Sequence, residues 1–131
     1  MITYIFSGFN PKEHFGKEVS TFFKEDMKNS KSIVFIPGNF DSPDKVKRYA
    51  LTDIEWFKEI DITLEDINIL DNNMQEDIMK KELTKADIIF IMGGDTQKQN
   101  TFLEKYNLKE TIKTSKGIVI GISAGAINLG I

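Results

Sequence analysis

Cysteine is absent from this chain, and histidine and arginine occur once each, as His14 and Arg48. The first absence excludes disulfides, a thiolate nucleophile and cysteine-built zinc sites. One imidazole does not suffice for a histidine-built metal centre, and one arginine forms no cluster for reading phosphates. No apolar run approaches the length that spans a bilayer. The N-terminus shows no basic region followed by an apolar stretch, so no signal peptide is read and a cytoplasmic setting is expected. A net charge of -3, with lysines scattered along the chain, argues against nucleic acid or an anionic membrane as the main partner. Repeats, low-complexity tracts and linkers are also missing. The 131 residues are enough for one core, and a single domain over residues 1–131 is expected.

What the chain does have is alternation. Short apolar runs at Ile2–Phe6, Ile33–Ile36, Asp87–Ile91 and Ile118–Ile122 read as strands, and Ile67, Ile69 and Leu70 as a weaker strand nearer an edge. Amphipathic segments lie between them. Phe15, Val19, Phe22, Phe23 and Met27 share one helical face between Glu13 and Lys28. Ser42-Pro43-Asp44 reads as a helix start, and Val46, Tyr49, Ala50, Phe57 and Ile60 are expected to face a core. Asn73 and Glu76 fit a capping box, and Phe102, Leu103 and Tyr106 mark a helix after Thr96, with Ile112 in a further turn. The order βαβαβαβαβ, followed by the start of a helix, predicts a three-layer α/β fold. In it, a doubly wound, mostly parallel sheet carries helices on both faces.

Function in such sheets gathers at the carboxyl ends of the strands. Those ends read Ser7-Gly8, Gly38-Asn39, Asp71, Gly93-Gly94-Asp95 and Ser123, small or polar at nearly every one. Gly121-Ile122-Ser123-Ala124-Gly125 carries the sharpest signal. A serine between glycines, on a turn from strand to helix, is the nucleophile-elbow pattern of serine hydrolases. Its oxyanion hole would take the backbone N–H of Ala124 and a second donor from Gly93 or Gly94. The bland readings are that Ser123 caps the last helix and that Asp95 or Thr96 caps the one before it. His14 reads as an exposed residue at the start of the first helix, and Arg48 as solvated. Neither Gly-x-Gly-x-x-Gly nor the P-loop pattern occurs.

These residues together resemble the peptidase E family, the S51 serine peptidases that include aspartyl dipeptidases and cyanophycinase relatives. The resemblance rests on Ile33 to Pro37, on Met92-Gly93-Gly94-Asp95-Thr96, and on Gly121 to Ala126. Met92 and Asp95 depart from the family's Gly-Gly-Gly-Asn-Thr. The resemblance implies a fold like that of class I glutamine amidotransferases, in the flavodoxin-like group. It implies a serine-type peptidase acting on small peptides with an aspartyl residue, without metal or cofactor. Ser123 would be the nucleophile, Gly93, Gly94 and Ala124 the oxyanion hole, and Asp95 and Thr96 substrate contacts. Family members carry the catalytic histidine and its acidic partner after the serine, whereas no histidine follows Ser123. The chain is therefore expected to be the N-terminal part of a family domain, truncated after the elbow and inactive by itself. An unfinished sheet edge would favour a homo-oligomer.

Other readings stay open. A non-catalytic α/β domain could bind a small ligand or a partner at the same edge. Glutamine amidotransferase chemistry needs a cysteine at the elbow, and an α/β-hydrolase esterase needs an oxyanion loop of the His-Gly-Gly type; the chain has neither.

Overall fold

The strand-forming runs and amphipathic segments assemble into alternating elements. The structure, a computed structural model, describes residues 2–129. Strand β1 (Ile2–Phe6) is followed by α1 (Lys17–Asp26), β2 (Ser32–Gly38), α2 (Pro43–Glu59), β3 (Asp66–Ile69) and α3 (Glu76–Lys85). The chain continues with β4 (Ile88–Gly94), α4 (Thr96–Lys105), α5 (Leu108–Lys113), β5 (Ile118–Ile122) and α6 (Ala124–Asn128). The five strands form one sheet in the order β1-β5-β4-β2-β3, with every pairing parallel. Strands β2 to β5 follow the winding of flavodoxin-like sheets, and β1 is added on the far edge beside β5.

The central strands are apolar on both faces because both are covered. Residues alternate sides along a strand. Ile33 and Phe35 of β2, with Ile88, Phe90 and Met92 of β4, join the core beneath α1 and α2. Val34 and Ile36, with Ile89 and Ile91, join the opposite core beneath α3, α4 and α5. Aromatic side chains fill much of the first core, where Phe15 packs edge-to-face on Phe23 and tilted on Phe57, and Phe23 stacks on Phe57. The edge strands are more polar or less covered: Ile2 and Ile5 of β1 are exposed, as is Ile67 of β3. At the amino ends of the strands, Asp87 accepts hydrogen bonds from the N–H groups of Lys31 and Ser32, at 2.8 and 3.1 Å. The Ser32 hydroxyl accepts one back from the Asp87 N–H at 2.8 Å. This pair aligns β2 with β4 at the edge opposite the carboxyl ends of the strands.

Several local expectations shift. Helix α1 begins at Lys17, not near Glu13; residues 11–15 are turns, and His14 sits there in a left-handed conformation (φ 57°). Tyr49 is exposed rather than facing a core. The capping box at Asn73 and Glu76 does not form. Gln75 is the residue before α3, and the Asn73 N–H instead donates to the Asp71 carboxylate at 2.8 Å. Ser42 occupies the cap position of α2 without a side-chain hydrogen bond. The further turn around Ile112 is a helix of its own, α5.

Helix α6 crosses the sheet at a distance that only glycine permits. A Cβ at Gly125 would overlap the carbonyl oxygen of Ile91, and one at Gly121 would lie 2.7 Å from the Leu129 side chain. The backbone of β4 cannot retreat without losing its ladder. Gly125→Ala is therefore expected to destabilise the fold by about 2–3 kcal/mol, measured by urea denaturation. A loss below about 0.5 kcal/mol would show that α6 can move away freely.

Candidate active site

Ser123 closes β5 and opens α6. Its backbone lies at φ 52° and ψ −110°, a region that non-glycine residues rarely occupy. Such strain costs of order 1–3 kcal/mol and persists only where the surroundings hold it. Here they do. The Ser123 N–H donates to the Phe6 carbonyl at 2.8 Å, and its own carbonyl accepts from the Ile127 N–H at 3.1 Å. The residue is thereby pinned between the end of β1 and the first turn of α6. Its side chain is exposed, as a strand-to-helix elbow requires.

The glycines that end β4, Gly93 and Gly94, lie beside it. A Cβ built on Gly93 would stand 3.6 Å from the Cβ of Ser123 and from the Ile122 carbonyl oxygen, so the two segments lie about one methyl group apart. Gly94 (φ +143°) presses against Gly38 at the end of β2, where a Cβ would lie 2.8 Å from the Gly38 carbonyl carbon. The Asp95 N–H completes this crossing with a 2.9 Å bond to the Gly38 carbonyl. The Asp95 carboxylate caps α4 by accepting from the Lys98 N–H at 3.0 Å. Thr96 begins that helix, and its carbonyl accepts from the Asn128 side chain at 3.0 Å. Ala124, directly after the serine, is buried in the first turn of α6. Ser123, Gly93, Gly94, Ala124, Asp95 and Thr96 thus converge on one edge of the sheet.

Gln99 holds that edge together. It is fully buried and donates to the carbonyls of Pro37 and Met92, at 3.1 and 2.9 Å. Its side-chain oxygen accepts from Asn128 at 2.9 Å. One side chain therefore joins the ends of β2 and β4 to α6. His14 is stacked on Trp56, with ring centres 4.7 Å apart, and its Nδ1 is 2.5 Å from a Glu59 carboxylate oxygen. Arg48 is exposed.

A cavity of about 630 Å³ opens next to the elbow, between α2 and the ends of β2, β4 and β5. It sits at the switch point of the sheet, where β2 leads to a helix on one face and β4 to a helix on the other. Gly38, Gly93, Gly94 and Ile122 line one side; Lys45, Tyr49, Asp53 and Trp56 of α2 line the other. Ser123 adjoins this wall through its neighbours Ile122 and Gly93 rather than forming part of it. The volume is in the range of small-ligand sites. Burial pushes the Asp53 carboxyl up to about 7.

Asp53 and Gln99 were not singled out in the sequence. Both interrupt an otherwise apolar helical stripe, Asp53 between Tyr49 or Ala50 and Phe57, and Gln99 one turn before Phe102 and Leu103. A polar residue on an apolar stripe must find a partner or a use when it is buried.

Two measurements check this account. The folded Asp53 carboxyl keeps its proton up to about pH 7, whereas the unfolded chain releases it near pH 4. The burial penalty therefore grows as pH rises between those values and is complete above pH 7. Asp53→Asn should stabilise the protein by up to about 4 kcal/mol at pH 8 and by little at pH 4. Equal effects at both pH values in thermal denaturation would refute the assignment. Gln99→Leu leaves buried carbonyls without their donor and should cost about 2–4 kcal/mol in urea denaturation.

No curated protein matches the chain. Among solved structures it is similar to a candidate peptidase E protein from Listeria monocytogenes EGD-e, with a TM-score of 0.69 and 22% identity. That match covers 95% of this chain and 59% of the other. It is also similar to a peptidase from an acI-B1 Actinobacterium, with a TM-score of 0.63 and 15% identity over 95% of this chain and 54% of that one. At these identities the likeness establishes the fold alone. The chain spans little more than half the length of either structure. The sequence matches Peptidase family S51 over residues 4–130, nearly all of its length, and the chain belongs to that family.

Proposed function

We propose that Ser123 is the nucleophile of a serine-type peptidase that hydrolyses small peptides with an aspartyl residue, in the manner of dipeptidase E. The observation that carries this reading is the Ser123 backbone at φ 52°, ψ −110°, with the residue exposed and beside Gly93. A capping serine has no need of such strain, and Ser123 makes no side-chain capping bond to α6. Membership of the S51 family supports the same role.

The chemistry would run as acyl transfer. The Ser123 Oγ attacks the scissile carbonyl carbon as its proton passes to a base. The carbonyl oxygen, now negative, is held by the backbone N–H of Ala124 and of Gly93 or Gly94. Collapse breaks the C–N bond, the leaving amine takes the proton, and water then releases the acyl group from the serine. Asp95 and Thr96, beside the glycine loop, would contact the substrate. On the family resemblance, the base is a histidine that follows the serine. None stands after Ser123 in these 131 residues, and His14 is engaged by Trp56 and Glu59.

A second reading is a non-catalytic domain that binds a small ligand at the same sheet edge, and the cavity of about 630 Å³ beside the elbow favours it. A fluorophosphonate probe separates the two. Covalent labelling of Ser123, read by mass spectrometry and lost in Ser123→Ala, is expected of a nucleophile. Turnover of an Asp-Xaa dipeptide by the 131-residue polypeptide should be slow or undetectable. Absence of labelling at saturating probe would leave the binding-domain reading.

A further inference from the structure

The cavity wall contributed by α2 has a charge pattern that the nucleophile does not account for. Asp53 lies half-buried within it, and Lys45 is exposed at its other end. Among the described residues, the Asp53 carboxyl has neither an ion pair nor a hydrogen bond; burial alone acts on it. A carboxyl in that state is poorly solvated when ionised, and a cation brought beside it restores what burial removed. The surrounding wall suits a cation as well. Trp56 and Tyr49 flank Asp53 on the same helix, and aromatic faces attract ammonium groups. Lys45 and Asp53 are about two helical turns, ~12 Å, apart along α2. The Lys45 ammonium lies 5.9 Å from the centre of the Tyr49 ring, which is one turn nearer Asp53 in the chain. The gap between the two charges is thus roughly one to two turns, which two or three peptide residues span at about 3.3–3.6 Å each.

We infer that this cavity holds a short zwitterionic peptide by both ends, its N-terminal ammonium on Asp53 and its C-terminal carboxylate on Lys45. The inference deepens the peptidase reading and rests on it only for what happens to the peptide once bound. It makes Asp53 and Lys45 the residues that select short peptides with free termini, because a longer or blocked chain would leave one charge unmatched. The titratable groups of the cavity wall are Lys45, Tyr49 and Asp53, all from α2. The ends of β2, β4 and β5 and the segment 9–11 contribute none to it. Outside the wall, His14 stacks on Trp56 and pairs with Glu59, Asp95 follows Gly94, and Asp44 precedes Lys45.

Calorimetric titration tests the inference with three probes: Asp-Leu, its Nα-acetyl derivative and its C-terminal amide. The chain would carry Ser123→Ala to prevent hydrolysis. Affinity for Asp-Leu should rise between about pH 6 and 7.5, as Asp53 ionises while the peptide amine stays charged. Acetylation should weaken binding roughly tenfold or more. Asp53→Asn should weaken Asp-Leu by a similar factor and abolish both the pH dependence and the acetylation penalty. Lys45→Met should abolish only the penalty of amidation. Competition by the same probes against fluorophosphonate labelling of the unsubstituted chain gives a second measurement, should Ser123→Ala fold poorly. Acetyl-Asp-Leu binding within twofold of Asp-Leu, an unchanged pH profile in Asp53→Asn, or no binding of Asp-Leu would each overturn the inference. If Ser123 is labelled but the acetylation penalty is absent, the inference falls and the peptidase reading stands. If the penalty is present without labelling, the peptide site stands and the nucleophile falls.

Discussion

Gln99 joins two strand ends and a helix through one buried amide. Its donors reach the carbonyls of Pro37 and Met92, and its oxygen receives Asn128. Those carbonyls lie where the register between β2 and β4 shifts, between the Ile36–Ile91 and Gly38–Gly94 pairs. Ladder hydrogen bonds are lost at such a point, and a buried carbonyl left unpaired costs 1–3 kcal/mol. By filling both, Gln99 satisfies the carbonyls at this irregularity, just before Gly38 and Gly94 pair again beside the cavity. The same side chain reaches α6, so the elbow is anchored to the frame that shapes the cavity.

The elbow depends on that anchoring. A strained serine relaxes unless the chain on both sides is held, and here it is gripped by the Phe6 carbonyl before it and by α6 after it. Helix α6 in turn lies against β4 because Gly125 and Gly121 carry no side chain. Small residues at the edge of the sheet therefore have two separate functions. Gly121 and Gly125 bring a helix close, while Gly93 and Gly94 bring a loop close to the serine and to β2. The first pair lets a helix pack on the sheet; the second lets the end of β4 approach both Ser123 and β2.

Much of this could be read in advance. Both faces of β2 and β4 are apolar, which requires cover on both sides and hence a parallel, helix-sandwiched sheet. The edge placement of β3 followed from its Asp66 and Asn68, and the elbow from two glycines around Ser123. Local capping was less legible. Asn73 and Glu76 have the spacing of a capping box, yet Asp71 captures the Asn73 N–H first, because an aspartate two residues earlier closes its own turn. Tyr49 has the period of a core residue but lines an open cavity instead of packing under the sheet.

The order of elements, the parallel character of the sheet, and the positions of the serine elbow and the glycine loop follow from the sequence by itself. Each is encoded by neighbours a few residues apart, through hydrophobic period or glycine spacing. The roles of Asp53 and Gln99 were decided only by tertiary structure. A lone polar residue on an apolar helix face has no local partner to reveal its purpose. Gln99 finds carbonyls of Pro37 and Met92 on two different strands, and Asp53 finds a cavity bounded by the ends of three. Strand order also lay beyond local reading, because the pairing of β1 with β5 joins opposite ends of the chain. That pairing brings the Phe6 carbonyl to Ser123, so even the strain at the strand-to-helix elbow depends on a contact that only the folded sheet makes.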